Sequence, residues 1–135
     1  MSYSVYIQKF DKGESAIIPF ERLEQILSKY GKIESGQSGL EFISNVGEMF
    51  DYTSLSGNFE VGINGICFSR PTLSDKFPLL VFDLLGIKNT CFFGTDLEFV
   101  HSRNEMMIHY PESLIEGLSD GPLVISQALD NWQLF

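Results

Sequence analysis

Residues 58 to 87 read NFEVGINGICFSRP followed by TLSDKFPLLVFDLLGI, and this stretch most constrains the fold. Its first half alternates as a long central strand does, with Phe59, Val61 and Ile63 set against Glu60, Gly62 and Asn64. Its second half is the most apolar helical stretch of the chain. Leu80, Val81, Leu84 and Leu85 share one side, and Phe77 and Phe82 widen it. Neither surface is stable in water, so strand and helix must cover each other, with the remaining elements arranged around them. The alternation changes phase at Gly65, where Ile66 and Phe68 become the apolar set. That predicts either a β-bulge or a hairpin turn at Asn64-Gly65. Ser74 or Asp75 is placed to cap the helix, Pro78 fits only in its first turn, and Gly86 ends it. Asp83, the one charge inside, reads as part of the solvent-facing side.

The rest of the chain supplies partners for that pair. Residues 3–10 alternate as an opening strand, and a polar turn follows at residues 11–14. Residues 19–30 form an amphipathic helix with Phe20, Leu23, Ile26, Leu27 and Tyr30 as its apolar stripe, Pro19 in its first turn and Gly31 as its stop. Short strands at residues 32–35 and 40–44 flank the turn-prone GQSG. Residues 48–53 read as a strand or a loop, and residues 55–58 as a turn into the central strand. Residues 90–93 form a short buried strand and residues 96–101 a following segment. A short helix at residues 111–118, a late strand at 123–125 and a final helical turn at 128–132 complete the chain, with Trp132 packing the tail onto the core. The expected fold is α+β: one domain over residues 1–135, a mainly antiparallel sheet with the helices at 19–30 and 75–85 packed on it.

Composition narrows the function. Apolar residues are 44% of the 135, with twelve Phe and five Tyr, which excludes global disorder. Eighteen acidic against nine basic residues give a net charge of −9, which argues against free nucleic acid as a ligand and for solubility or a basic partner. From Asn89 onward the only basic residue is Arg103, while Asp96, Glu98, Glu105, Glu112, Glu116, Asp120 and Asp130 all fall there. Asp96, Glu98, Glu105, Glu112 and Glu116 are the candidate partner-binding face. Cys67 and Cys91 stand in apolar strand contexts and read as reduced thiols. The opening MSYSVYIQKF has no secretory signal pattern, and no apolar run is long enough to span a membrane, so a cytoplasmic protein is expected.

Chemistry-bearing motifs are sparse. His101-Ser102-Arg103-Asn104, with Asp96, Glu98 and Glu105 nearby in sequence, could supply an acid–base pair, or could be surface polar residues of a connecting loop. Ser102 lies in no GxSxG context, His101 and His109 lack metal-ligand spacing, and Gly36, Gly39, Gly62 and Gly65 form no phosphate cradle. No metal and no cofactor are expected. Arg70, at the end of the central strand, reads as an ion-pair partner or an anchor.

The opening SYSVYIQKF with the short amphipathic helix after it resembles the small bacterial immunity proteins of polymorphic-toxin and contact-dependent inhibition systems. The resemblance covers about the first thirty residues. It implies a cytoplasmic protein that binds and blocks a toxin domain, and it carries no site residues across. Nuclease toxins are commonly basic, and an acidic inhibitor would be steered to them. The alternatives are a small enzyme centred on His101 and a domain that associates with itself through an exposed edge strand.

Overall fold

The strand at the centre is the opening one. β1 (Ser4–Asp11) buries Val5 and Ile7 on one face, and hydrogen-bonds antiparallel to two later strands, β6 (Gly62–Ser69) and β7 (Thr90–Gly94). The computed structural model describes residues 4–36, 39–45, 52–58, 60–71, 76–95, 97, 99–118 and 121–126. The other strands are β2 (Glu14–Ala16), β3 (Gly31–Gly36), β4 (Gly39–Ser44), β5 (Tyr52–Asn58), β8 (Val100–Ser102) and β9 (Leu123–Val124). They form a nine-stranded sheet of order β3-β4-β5-β6-β1-β7-β8-β9, with β2 paired to the far end of β1. Every pairing is antiparallel except the short parallel one between β8 and β9. The fold is thus the expected mixed α+β one.

Two helices cover one face. α1 (Phe20–Leu27) starts at Pro19 and buries Leu23, Ile26 and Leu27, the apolar stripe read from its sequence. α2 (Lys76–Leu84) buries Phe77, Pro78, Leu80, Val81 and Leu84, with Pro78 in its first turn as expected. Its capping residues 74 and 75 lie outside the described residues. Beneath the helices lie Val5, Ile7, Ile66, Phe68, Leu55 and Phe92, so the strand at 62–69 and the helix at 76–84 do cover each other. Phe77 joins them, packing edge-on to Phe68 at 5.3 Å between ring centres and to Phe92 at 6.2 Å.

The opposite face carries a smaller cluster. Phe10, Cys91, Phe93 and Val100 pack there under Met106, Tyr110 and Leu114, which come from a single 3-10 turn and its flanks (Met107–His109) and from α3 (Glu112–Ile115). Toward β4, β5 and β6 this face is half-buried or exposed, at Glu41, Ile43, Ser54, Ser56 and Cys67.

Several expectations change. Residues 55–58 are part of β5, not a turn, and the last pair of the hairpin is Asn58↔Gly62, so the chain does not turn at Asn64-Gly65. Gly57 and Gly62 flank that hairpin with φ of +139° and +125°, a backbone closed to most side chains. The phase change at Gly65 is the bulge: Ser56 pairs with Gly65 and Gly57 with Ile63, so Asn64 is the extra residue. Gly31 does not stop α1 by a left-handed turn. It opens β3, where an added Cβ would collide with the backbone of Ile43. Asp83 is not on a purely solvated side; it is half-buried and accepts a hydrogen bond from the Tyr30 hydroxyl. The final helical turn at 128–132, and Trp132 with it, lies outside the described residues.

Candidate functional site

The residues singled out for chemistry converge on β8 and the segment after it. β8 pairs with β7 through Phe92↔His101 and Phe93↔Val100, and cross-strand partners share a face. His101 is therefore turned into the main core beside Phe92, and Ser102 to the opposite side with Val100. His101 is 3% exposed, stacked on Phe99 at 4.9 Å and near Phe92 at 6.4 Å. This is not a surface loop residue. An imidazole enclosed by aromatic rings has no contact with a substrate in solvent, so it is poorly placed for proton transfer.

Ser102 is 2% exposed, and its hydroxyl donates to the carbonyl of Asn104 at 2.7 Å. It lines a cavity of about 140 Å³ with Glu105, Met106, Met107, Tyr110, Gly121, Pro122 and Val124. Organic ligands usually occupy about 300–1,000 Å³, so this space suits a few waters. Burial pushes the Tyr110 phenol up, which holds it neutral as a wall of the cavity. Arg103 turns the other way. Its guanidinium lies 4.0 Å from the centre of the Phe82 ring, and Nη1 donates to the Phe82 carbonyl at 3.3 Å. His109 is structural as well: its Nδ1 accepts the Lys12 N–H at 3.1 Å, and its carbonyl accepts the Gly13 N–H at 3.0 Å. These bonds fasten the β1–β2 turn to the 3-10 turn.

Of the five acidic candidates, Asp96 and Glu98 lie outside the described residues. Glu105, Glu112 and Glu116 are all exposed. Glu105 sits on the rim of the small cavity, with its carboxylate accepting the Met107 N–H. Glu112 occupies the first turn of α3, and Glu116 follows its last residue. The Glu116 N–H donates to the Glu112 carbonyl at 3.0 Å, so the two carboxylates stand one turn apart on the same side. Pro111 and Glu112 start this helix as their sequence predicts.

Among the described residues, no group of three or more His, Cys, Asp or Glu could hold a metal ion, and no helix is long and apolar enough to cross a membrane. Cys67 and Cys91 are free thiols; Cys91 is fully buried, and burial pushes its thiol up, away from the reactive thiolate. A larger groove, about 400 Å³, runs between α1 and β3, lined by Glu24, Gln25, Ser28, Gly31, Lys32 and Ile33. Its Ser28 hydroxyl donates to the Gln25 carbonyl at 3.1 Å and its Lys32 ammonium pairs with Glu34, so neither stands beside a base that would activate it. Neither α1 nor β3 carries a motif in its sequence, so the groove between them is not legible there. The available signal was the alternation of charge in GKIES, where Lys32 and Glu34 flank Ile33.

Comparison with known proteins finds no family model that matches the chain, and no curated protein or solved structure that matches it.

Proposed function

We propose that this protein is an immunity-type inhibitor, which binds a cognate bacterial toxin domain in the cytoplasm and neutralises it through acidic residues at the β8–α3 end of the sheet. The partner it fits is a basic, nuclease-like domain. The observation that carries this reading is the contrast within one short segment. The imidazole of His101 and the hydroxyl of Ser102 are buried, while the carboxylates of Glu105, Glu112 and Glu116 are presented to solvent. A net charge of −9 adds a long-range field that would draw a basic partner in. The resemblance of the opening strand to immunity proteins points the same way. The enzyme alternative centred on His101 has less support, because its ring lies against Phe99 within the core.

The test is co-expression with toxin domains encoded beside this gene, followed by association kinetics on whichever domain is neutralised. The wild-type protein is expected to restore growth and to associate more slowly as salt rises. Reversing Glu105, Glu112 and Glu116 together to Lys should slow association at least about tenfold at low salt and flatten the salt dependence. An unchanged rate in that triple variant would remove these residues from the interface.

A further inference from the structure

β3 ends the sheet, and among the described residues it pairs with β4 alone. The direction of its outer hydrogen-bonding groups follows from its inner ones. The Asn45 N–H donates to the Tyr30 carbonyl at 2.8 Å, so Tyr30 and Asn45 extend the ladder beyond Gly31↔Ser44 as a hydrogen-bonded pair. Hydrogen-bonded and open pairs alternate along an antiparallel ladder. Lys32 and Glu34 therefore direct their backbone groups to β4, opposite Ile43 and Glu41, and Gly31, Ile33 and Ser35 direct theirs outward. The groove against α1 runs beside Gly31, Lys32 and Ile33, so this part of the edge is open on the helix side as well.

We propose that β3 is a self-association edge: two copies of the chain pair antiparallel through it, about a twofold axis at Ile33. Three observations select a second copy and this register. First, with Ile33 opposite the partner's Ile33, every outward group on one strand meets an outward group on the other. A shift of one residue would set outward groups against inward ones. Second, the register places Lys32 opposite the partner's Glu34 and Glu34 opposite the partner's Lys32, so two opposite-charge pairs form across the axis. Shifting by two residues keeps the hydrogen bonds but sets Lys32 against the partner's Lys32 in one direction, or Glu34 against the partner's Glu34 in the other. Like charges directly opposite are destabilising. Third, both side chains are exposed and close to each other already, with Lys32 Nζ 2.9 Å from Glu34 Oε1. They can exchange that pairing for the cross-strand one without desolvating an unpaired charge. Such a contact is isologous and closed, so it stops at two copies. It joins two nine-stranded sheets into one and leaves both α3 ends, at the far side of each sheet, available to other partners.

Sedimentation equilibrium over a range of concentrations tests this. The wild-type mass should rise from 15.3 kDa toward twice that value. Lys32→Glu and Glu34→Lys should each raise the dimer dissociation constant by about tenfold or more, because each sets two like-charge pairs across the axis. The double variant K32E/E34K should return it to near the wild-type value. Ser35→Pro removes an outward N–H while sparing the β4 ladder, a substitution edge strands accept. It should abolish the dimer with an unchanged far-UV circular dichroism spectrum. A wild-type mass fixed at 15.3 kDa, single reversals that leave the dimer intact, a double variant that fails to restore it, or a dimeric Ser35→Pro protein would each overturn the proposal.

Discussion

Tyr30 and Asp83 illustrate how one side-chain contact can join two helices. The Tyr30 hydroxyl donates to Asp83 Oδ2 at 2.5 Å, linking the turn after α1 to the last turn of α2. Burial, and then the neighbouring carboxylate, push the phenol's pKa up, so it remains a donor throughout the physiological range. Tyr30→Phe keeps the ring and removes the donor from a half-buried carboxylate. A hydrogen bond to a charged group contributes about 1.5–3 kcal/mol. The variant should therefore lose a measurable part of that in urea unfolding, with an unchanged m-value. The pattern of α2 alone shows Asp83 as a charge on an apolar helix and nothing more, because its partner is 53 positions away in the chain. The phase change at Gly65, by contrast, was legible, since a bulge disturbs the alternation of its own strand. What the sequence left open there was bulge against turn, and the pairing with β5 decides it.

At the scale of elements, the C-terminal end of α2 is closed by a residue from another strand. Arg103, just past β8, lays its guanidinium on the Phe82 ring and donates to the Phe82 carbonyl, where the negative end of the helix favours a cation. Arg103→Ala should destabilise the protein by about 1–2 kcal/mol. It should also speed hydrogen exchange at the Gly86 and Ile87 amides, which bond to Asp83 and Leu84. Arg103→Lys should recover little, since an ammonium cannot stack flat on the ring. Helices were the more legible elements because a 3.6-residue apolar stripe survives in isolation, as in α1. β5 was missed for the converse reason. Its LSGN run looks like a turn, and Ser54 and Ser56 are tolerated in a strand only because they lie on the less covered face of the sheet.

At the scale of the whole molecule, three acids among the described residues shift in one direction. Cys91, Tyr30 and Tyr110 all have their pKa values raised, mainly by burial, from ordinary values of 9.0 for the thiol and 10.0 for the phenols. The folded state thus holds protons that the unfolded chain releases. Their contribution to stability is complete below pH about 9 and declines as pH climbs past 9 and then 10. Thermal midpoints measured from pH 7 to 11 should be level at first and then fall, and Cys91→Ala should flatten the onset of that fall. The α+β class and the two covering helices were readable from periodicity. The strand order was not, because it depends on pairings such as Val5↔Phe68 and Val5↔Gly94 that no local pattern encodes. The acidic candidates were readable as a list of charges. The burial of His101 was not, because a histidine in a polar tetrapeptide gives no local sign that its strand turns it inward.

The central place of β1 also has a consequence for biosynthesis. Its partners, β6 and β7, follow it by 63 and 89 residues, as the pairs Val5↔Phe68 and Val5↔Gly94 set out. At a translation rate of about 5–20 residues per second, the first strand waits some 3–12 s for its first long-range neighbour. Through that interval β1 has only β2 paired to its far end, and its alternating apolar stretch from Val5 to Gln8 is open on both edges, the situation in which strands find wrong partners. A nascent chain stalled before residue 62 should therefore recruit chaperones, and the full chain, once released, should not.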